Sequence, residues 1–175
     1  MRRVLATIAG VLAAAAIGVQ AGDAHPGGDR GHRGAGKSIL EFDTMAPVTG
    51  QFVGTANPVR GVPGGGLPWM LDRARGELRR DGRLDVRVEG LVLARQDPVP
   101  ANLQGTNPIP QFRAIVSCLS PDAPDQPVNL TTDPVPASPT GDAHIRTRVA
   151  LPADCVAPIV FVTSPAGQWF AATGA

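Results

Sequence analysis

Proline and glycine interrupt this chain so often that long helices are excluded. The 175 residues include 18 prolines and 21 glycines. After Gly36 the longest stretches free of both, 37–46, 111–120 and 142–151, are ten residues each. In a helix interior glycine costs about 1 kcal/mol relative to alanine and proline about 3 kcal/mol. Short strands joined by turns tolerate the same spacing. The apolar pattern agrees. In "RLDVRVEG", Leu84, Val86 and Val88 alternate with Asp85, Arg87 and Glu89, as in a strand with one wet face. "QFRAIVSCL" sets Phe112, Ala114, Val116 and Cys118 on one side, and "HIRTRVAL" sets Ile145, Thr147, Val149 and Leu151 against His144, Arg146 and Arg148. "PIVFVTS" is apolar without alternation, as a strand covered on both faces would be, and "GQWFAATG" reads as the last strand. The expected fold is all-β: a single β-sandwich of immunoglobulin-like architecture with seven to nine short antiparallel strands, with a small β-barrel as the alternative.

One hairpin is defined down to its register. A two-residue loop at Asp81-Gly82 would set Leu84 opposite Arg79 and mix the faces. A three-residue loop, Arg80-Asp81-Gly82 with Gly82 left-handed, pairs Leu78 with Leu84 and Gly76 with Val86. It also sets Glu77 against Asp85 and Arg75 against Arg87. Such exposed like-charge pairs cost less than about 1 kcal/mol, so the turn should prevail.

The ends divide the chain further. Arg2 and Arg3, the apolar run Val4 to Val19 and the small residues of Val19-Gln20-Ala21 have the form of a secretory signal over residues 1–21, with Ala24 as a second cleavage position. Residues 22–37 read as a glycine-rich leader too polar to pack, and residues 38–175 as the sandwich domain, starting at "SILEF". The mature protein is therefore expected to be exported, secreted or periplasmic, with no membrane insertion after cleavage. Cys118 and Cys155 fit that compartment and are expected to form one disulfide. Heavy use of Ala, Gly, Pro and Arg beside the single Lys37 matches a GC-rich bacterial genome, and "GRLDVRVEGLVL" with "PIVFVTSPAGQWFAATG" resembles bacterial exported β-proteins.

Composition narrows the chemistry. Formal net charge is +1, and loss of Arg2 and Arg3 with the signal would give +1 − 2 = −1. That leaves no electrostatic footprint for nucleic acid. The run "PVRGVPGGGLPW" lacks the Gly-Lys-Ser/Thr of a phosphate loop, and it reads as a turn into a strand with Trp69 capping the core. After the leader, His144 is the only histidine, and no G-x-S-x-G elbow marks Ser117, Ser120, Ser138 or Ser164 as a nucleophile. No catalytic residue is assigned. The function expected is a non-catalytic structural or interaction module outside the cytoplasm, with a protein or a polysaccharide as partner. The proline-rich connection from 120 to 142, with "VNLTT" as an edge strand, offers a recognition surface.

A copper-binding role is the alternative. Cleavage after Ala24 would make His25 the terminus, where amine and imidazole together suit Cu(II). "GDAH" would add Asp142 and His144, and this fragment resembles the Asp-x-His element of periplasmic copper-carrier β-sandwiches. Pro26 after the histidine, and Arg146 and Arg148 on the His144 face, oppose such a site.

Overall fold

The turn at Asp81-Gly82 sets the register from which one sheet grows. The computed structural model describes residues 36–174 apart from 122, with 123 and 124 described by backbone alone. The strands are β1 (Ser38–Phe42), β2 (Ala46–Pro47), β3 (Trp69–Met70), β4 (Arg73–Arg79), β5 (Arg83–Glu89) and β6 (Val92–Leu93). They continue with β7 (Gln111–Ser120), β8 (Ala123–Thr131), β9 (Val135–Pro136), β10 (Ala143–Arg148), β11 (Val156–Thr163) and β12 (Trp169–Ala172). Four of these span only two residues, so eight longer strands carry the architecture. The signal, the leader to Ala35, and with them His25, lie outside the described residues.

The hairpin has the register read from the sequence. Leu78 pairs with Leu84, Gly76 with Val86, Glu77 with Asp85 and Arg75 with Arg87. Gly82 takes φ +85°, and a Cβ there would collide with the Val149 carbonyl. That conformation and that close approach are both reserved for glycine. β1 pairs with β4, and β10 pairs with β5, giving a four-stranded antiparallel sheet in the order β1-β4-β5-β10. A second sheet runs β2-β12-β11-β7-β8, with β9 also on β7, and β3 and β6 form a short ribbon of their own.

The two sheets share no strand, which makes a sandwich rather than a closed barrel. Leu78, Leu84, Val86, Val88 and Ile145 of the first sheet and Phe112, Val116, Val160 and Val162 of the second belong to one continuous buried core. Burying each such side chain contributes about 1.5–3 kcal/mol. Cys118 is fully buried on the inward face of β7 and bonds Cys155 just ahead of β11, with 4.9 Å between their Cα atoms. β7 and β11 are hydrogen-bonded neighbours, so the expected disulfide ties adjacent strands.

The apolar run in β11 is covered on both faces. Ile115, Ser117 and Phe161 point away from the first sheet, yet each is buried. Their cover is the segment 48–66. Phe52 packs its ring against Trp169, the Arg60 guanidinium donates to the Ser117 carbonyl at 3.1 Å, and Gly65 N–H donates to the Trp169 carbonyl at 2.9 Å. The glycine and proline run is thus more than an entry turn. Within it Val59 and Val62 exchange two backbone hydrogen bonds around Arg60 and Gly61, both with positive φ, a tight two-residue hairpin. Trp69 also departs from expectation. It does not cap the core but lies inside it, 3% exposed, stacked on Phe170 with ring centroids 3.9 Å apart. Among the described residues no helix is long and apolar enough to cross a membrane.

Candidate functional site

The alternation that buries Leu84, Val86 and Val88 turns Asp85, Arg87 and Glu89 to the opposite face of the first sheet. Pairing then lines charges up across four strands. One row runs Glu41, Glu77, Asp85, Arg146, and the next runs Arg75, Arg87, His144. A third holds Arg79, Arg83 and Arg148. Between them the face forms an open depression of about 860 Å³. Its floor is β4 and β5, its far rim is Glu41 and Asp43, and Phe42 is the one phenyl ring in its lining. Gly76 leaves room beneath the floor for the Phe42 ring, because a Cβ at that position would collide with that ring and the Asp85 carbonyl.

Three of the acids on and beside this face, Glu77, Asp81 and Asp85, already have partners. Arg79 Nε donates to Glu77 at 2.9 Å, and Asp81 lies 3.4 Å from Arg83 and 3.3 Å from Arg148. Asp85 accepts from Arg146 Nε at 2.9 Å and from His144 Nε2 at 2.8 Å. The other ring nitrogen of His144 faces Arg87 Nη2 at 3.3 Å. A guanidinium can only donate, so in this contact Nδ1 is the acceptor. Arg87 is thus held by an imidazole nitrogen and makes no ion pair with a carboxylate among the described residues. Directly across from it, Arg75 makes no ion pair among the described residues. Burial pushes the Asp85 carboxyl up, but the hydrogen bonds from His144 and Arg146 outweigh it and leave the group below the ordinary carboxylate value.

Other residues singled out in the sequence have other work. Asp142 accepts hydrogen bonds from Gly90 N–H at 3.0 Å, Thr140 Oγ1 at 2.8 Å and Ser138 Oγ at 3.1 Å. It fastens the loop before β10 to the corner after β5. The copper alternative thus finds Asp142 bound within its own loop and both His144 nitrogens engaged, while His25 lies outside the described residues. No group of three or more His, Cys, Asp or Glu side chains is placed to hold a metal ion among the described residues. Ser117 is fully buried and Ser164 is bonded to Gln168, so neither is presented as a nucleophile.

The 120–142 connection forms the edge strand β8 and the short β9. Its exposed Val128 shares the Cys118 face, whereas exposed Val156 pairs with Leu119 on the opposite face, so the two make no common apolar patch. A second hollow, about 280 Å³, lies beside Gly65, Gly66, Leu67, Leu103, Ile109 and Phe170. It is below the usual size of a small-molecule pocket, about 300–1,000 Å³, and holds no charged group. What sequence reasoning missed is the face of the first sheet as a site. The signal was present in the Arg75–Arg87 register, which was weighed only as a cost to the hairpin. No family model matches this chain, and neither a curated protein nor a solved structure matches it.

Proposed function

We propose that this is an exported, non-catalytic binding module that holds an extracellular polysaccharide on the outward face of its first sheet. The observation that carries this reading is the polar depression of about 860 Å³ lined by side chains from β1, β4, β5 and β10. A cleft of that size accommodates two or three sugar rings, and its carboxylates and guanidiniums accept from and donate to hydroxyl groups. All of the lining residues but Asp43 project from paired strands, and Glu77, Arg79, Asp85, Arg87, His144 and Arg146 are held by contacts with one another, which lowers the entropy lost on binding. The non-catalytic reading rests on His144, whose two ring nitrogens are engaged by Asp85 and Arg87 and so activate no nucleophile. The extracytoplasmic location rests on the Cys118–Cys155 disulfide and on the signal-like sequence at the amino terminus.

Electrophoresis through gels containing soluble polysaccharides, neutral and acidic, tests the proposal. At least one polymer should retard the protein. The double variant Glu77→Gln, Arg146→Gln on this face should lose most of the retardation, while Asp133→Asn, on an exposed residue after β8, should keep it. No retardation by any polymer, or equal retardation of all three proteins, overturns the assignment.

A further inference from the structure

We infer that the ligand is an acidic sugar whose anionic group, a carboxylate or a sulfate ester, is clamped between Arg75 and Arg87, with His144 as a positioning residue. This rests on the binding-module reading and specifies its ligand. The two arginines are register partners, so their side chains leave the same face of β4 and β5 side by side. Like charges directly opposite on paired strands destabilise a sheet, and nearby carboxylates normally relieve the repulsion. Here neither arginine makes an ion pair among the described residues. Glu77 is bonded by Arg79, and Asp85 by Arg146 and His144.

The way Arg87 is held sharpens the argument. An arginine fixed by a carboxylate has its charge spent, whereas one fixed by a ring nitrogen instead of a carboxylate does not. The chain Arg87–His144–Asp85–Arg146 runs across β5 and β10 through contacts of 3.3, 2.8 and 2.9 Å. It orients the guanidinium while leaving its other N–H donors to the depression. Two adjacent guanidiniums present forked donors that match the oxygens of a carboxylate or a sulfate. A simple anion would need nothing more, but the depression continues past the pair to Glu41 and Asp43, acceptors with no ion-pair partner among the described residues. Donors for an anion beside acceptors for hydroxyls define an anionic, polyhydroxylated ligand. The one phenyl ring in the lining, Phe42, packs against the core, which disfavours neutral glycans that bind through aromatic platforms.

Titration calorimetry with oligogalacturonate, sulfated dextran oligomers and maltohexaose tests this, with inorganic sulfate as a competitor. One of the two acidic probes should bind at least tenfold more tightly than maltohexaose. Arg75→Gln and Arg87→Gln should each weaken it by tenfold or more and reduce its salt dependence, with melting temperatures unchanged. Preference for galacturonate assigns a carboxylate, and preference for the sulfated oligomer assigns a sulfate ester. Displacement by inorganic sulfate alone, with no gain from the sugar, overturns the sugar in favour of a simple anion site. His144→Ala should weaken binding several-fold, whereas His144→Asn, which keeps an acceptor near Nδ1, should retain most of it. Loss of equal size in both removes the positioning role. Maltohexaose bound as well as the acidic probes, and unaffected in both arginine variants, overturns the anionic ligand and leaves the binding module standing. Binding of none of the probes overturns both.

Discussion

Gly64, Gly65 and Gly66 are indistinguishable as letters, and their surroundings separate them. A Cβ at Gly64 would collide with the Phe52 carbonyl and come within 3.0 Å of Val48. At Gly65 it would press on the Phe170 ring at 3.0 Å, while at Gly66 nothing lies within 4 Å. Gly64 is needed for space, because the covering segment crosses itself there, with Gly64 N–H bonded to the Gly54 carbonyl at 3.0 Å. Gly64→Ala should therefore destabilise the protein by about 1–3 kcal/mol, the usual result of forcing atoms into packed structure. Gly66→Ala, with open space and no positive φ, should be neutral or stabilise by about 0.4–1 kcal/mol through the unfolded chain. Urea midpoints of the two variants check this directly. If Gly64→Ala matches the wild type, the segment does not pack on the second sheet as described. The sequence marked this run as turn-forming and no more, because a covering loop is defined by contacts with β7 and β12, more than fifty residues away.

Edge strand β10 owes part of its attachment to acids on and beside β5. Arg146 and His144 reach Asp85, Arg148 reaches Asp81, and Asp142 fastens the entry loop to Gly90. All three carboxyls are held below the ordinary value. Asp81 is lowered by the Arg83 backbone N–H and neighbouring arginine charge, and Asp142 by Thr140 and the Gly90 N–H. For Asp85 the two hydrogen bonds and adjacent positive charge outweigh its burial. A depressed native pKa contributes stability that is fully present above the unfolded value of about 3.9 and is lost as pH falls through the native one. These groups thus leave stability unchanged between pH 7 and 5 and withdraw it below about pH 4. Asp85→Asn should cost about 1 kcal/mol or less at pH 7 after solvent screening, and the gap to wild type should narrow progressively as pH falls below about 4. Melting curves at neutral pH and across the acid range measure it. A gap that persists in acid would assign the loss to packing instead. The β4–β5 hairpin shows what was legible at this level. Turn chemistry and alternation fixed its register, because both are local. Which partner would occupy Asp85 was not legible, since His144 and Arg146 arrive from a strand about sixty residues downstream.

For the molecule as a whole, alternation revealed the all-β core, because burial and pairing repeat along every strand, and the pair of cysteines behind a signal-like segment revealed the disulfide. The candidate site was hidden, since it is a property of four strands side by side and each contributes only ordinary surface charges. The disulfide links this architecture to its surroundings. Cys118 and Cys155 are separated by 37 residues. Closing such a loop limits the unfolded chain by about 4 kcal/mol in the chain-entropy model. Total stabilities of about 5–15 kcal/mol make that a large fraction. β8 lies within the closed loop and pairs with β7, so reduction should free the unfolded chain without removing any strand pairing from the native one. The protein should therefore stay folded when reduced at low temperature, but unfold at a markedly lower denaturant concentration, by roughly 4 kcal/mol when extrapolated to water. Paired urea titrations with and without reductant measure the difference. A shift of that size makes a large part of the stability depend on an oxidising compartment, in keeping with the proposed export. Coincident midpoints would show that the loop is already constrained in the unfolded chain, and the disulfide would then cease to support an extracytoplasmic location.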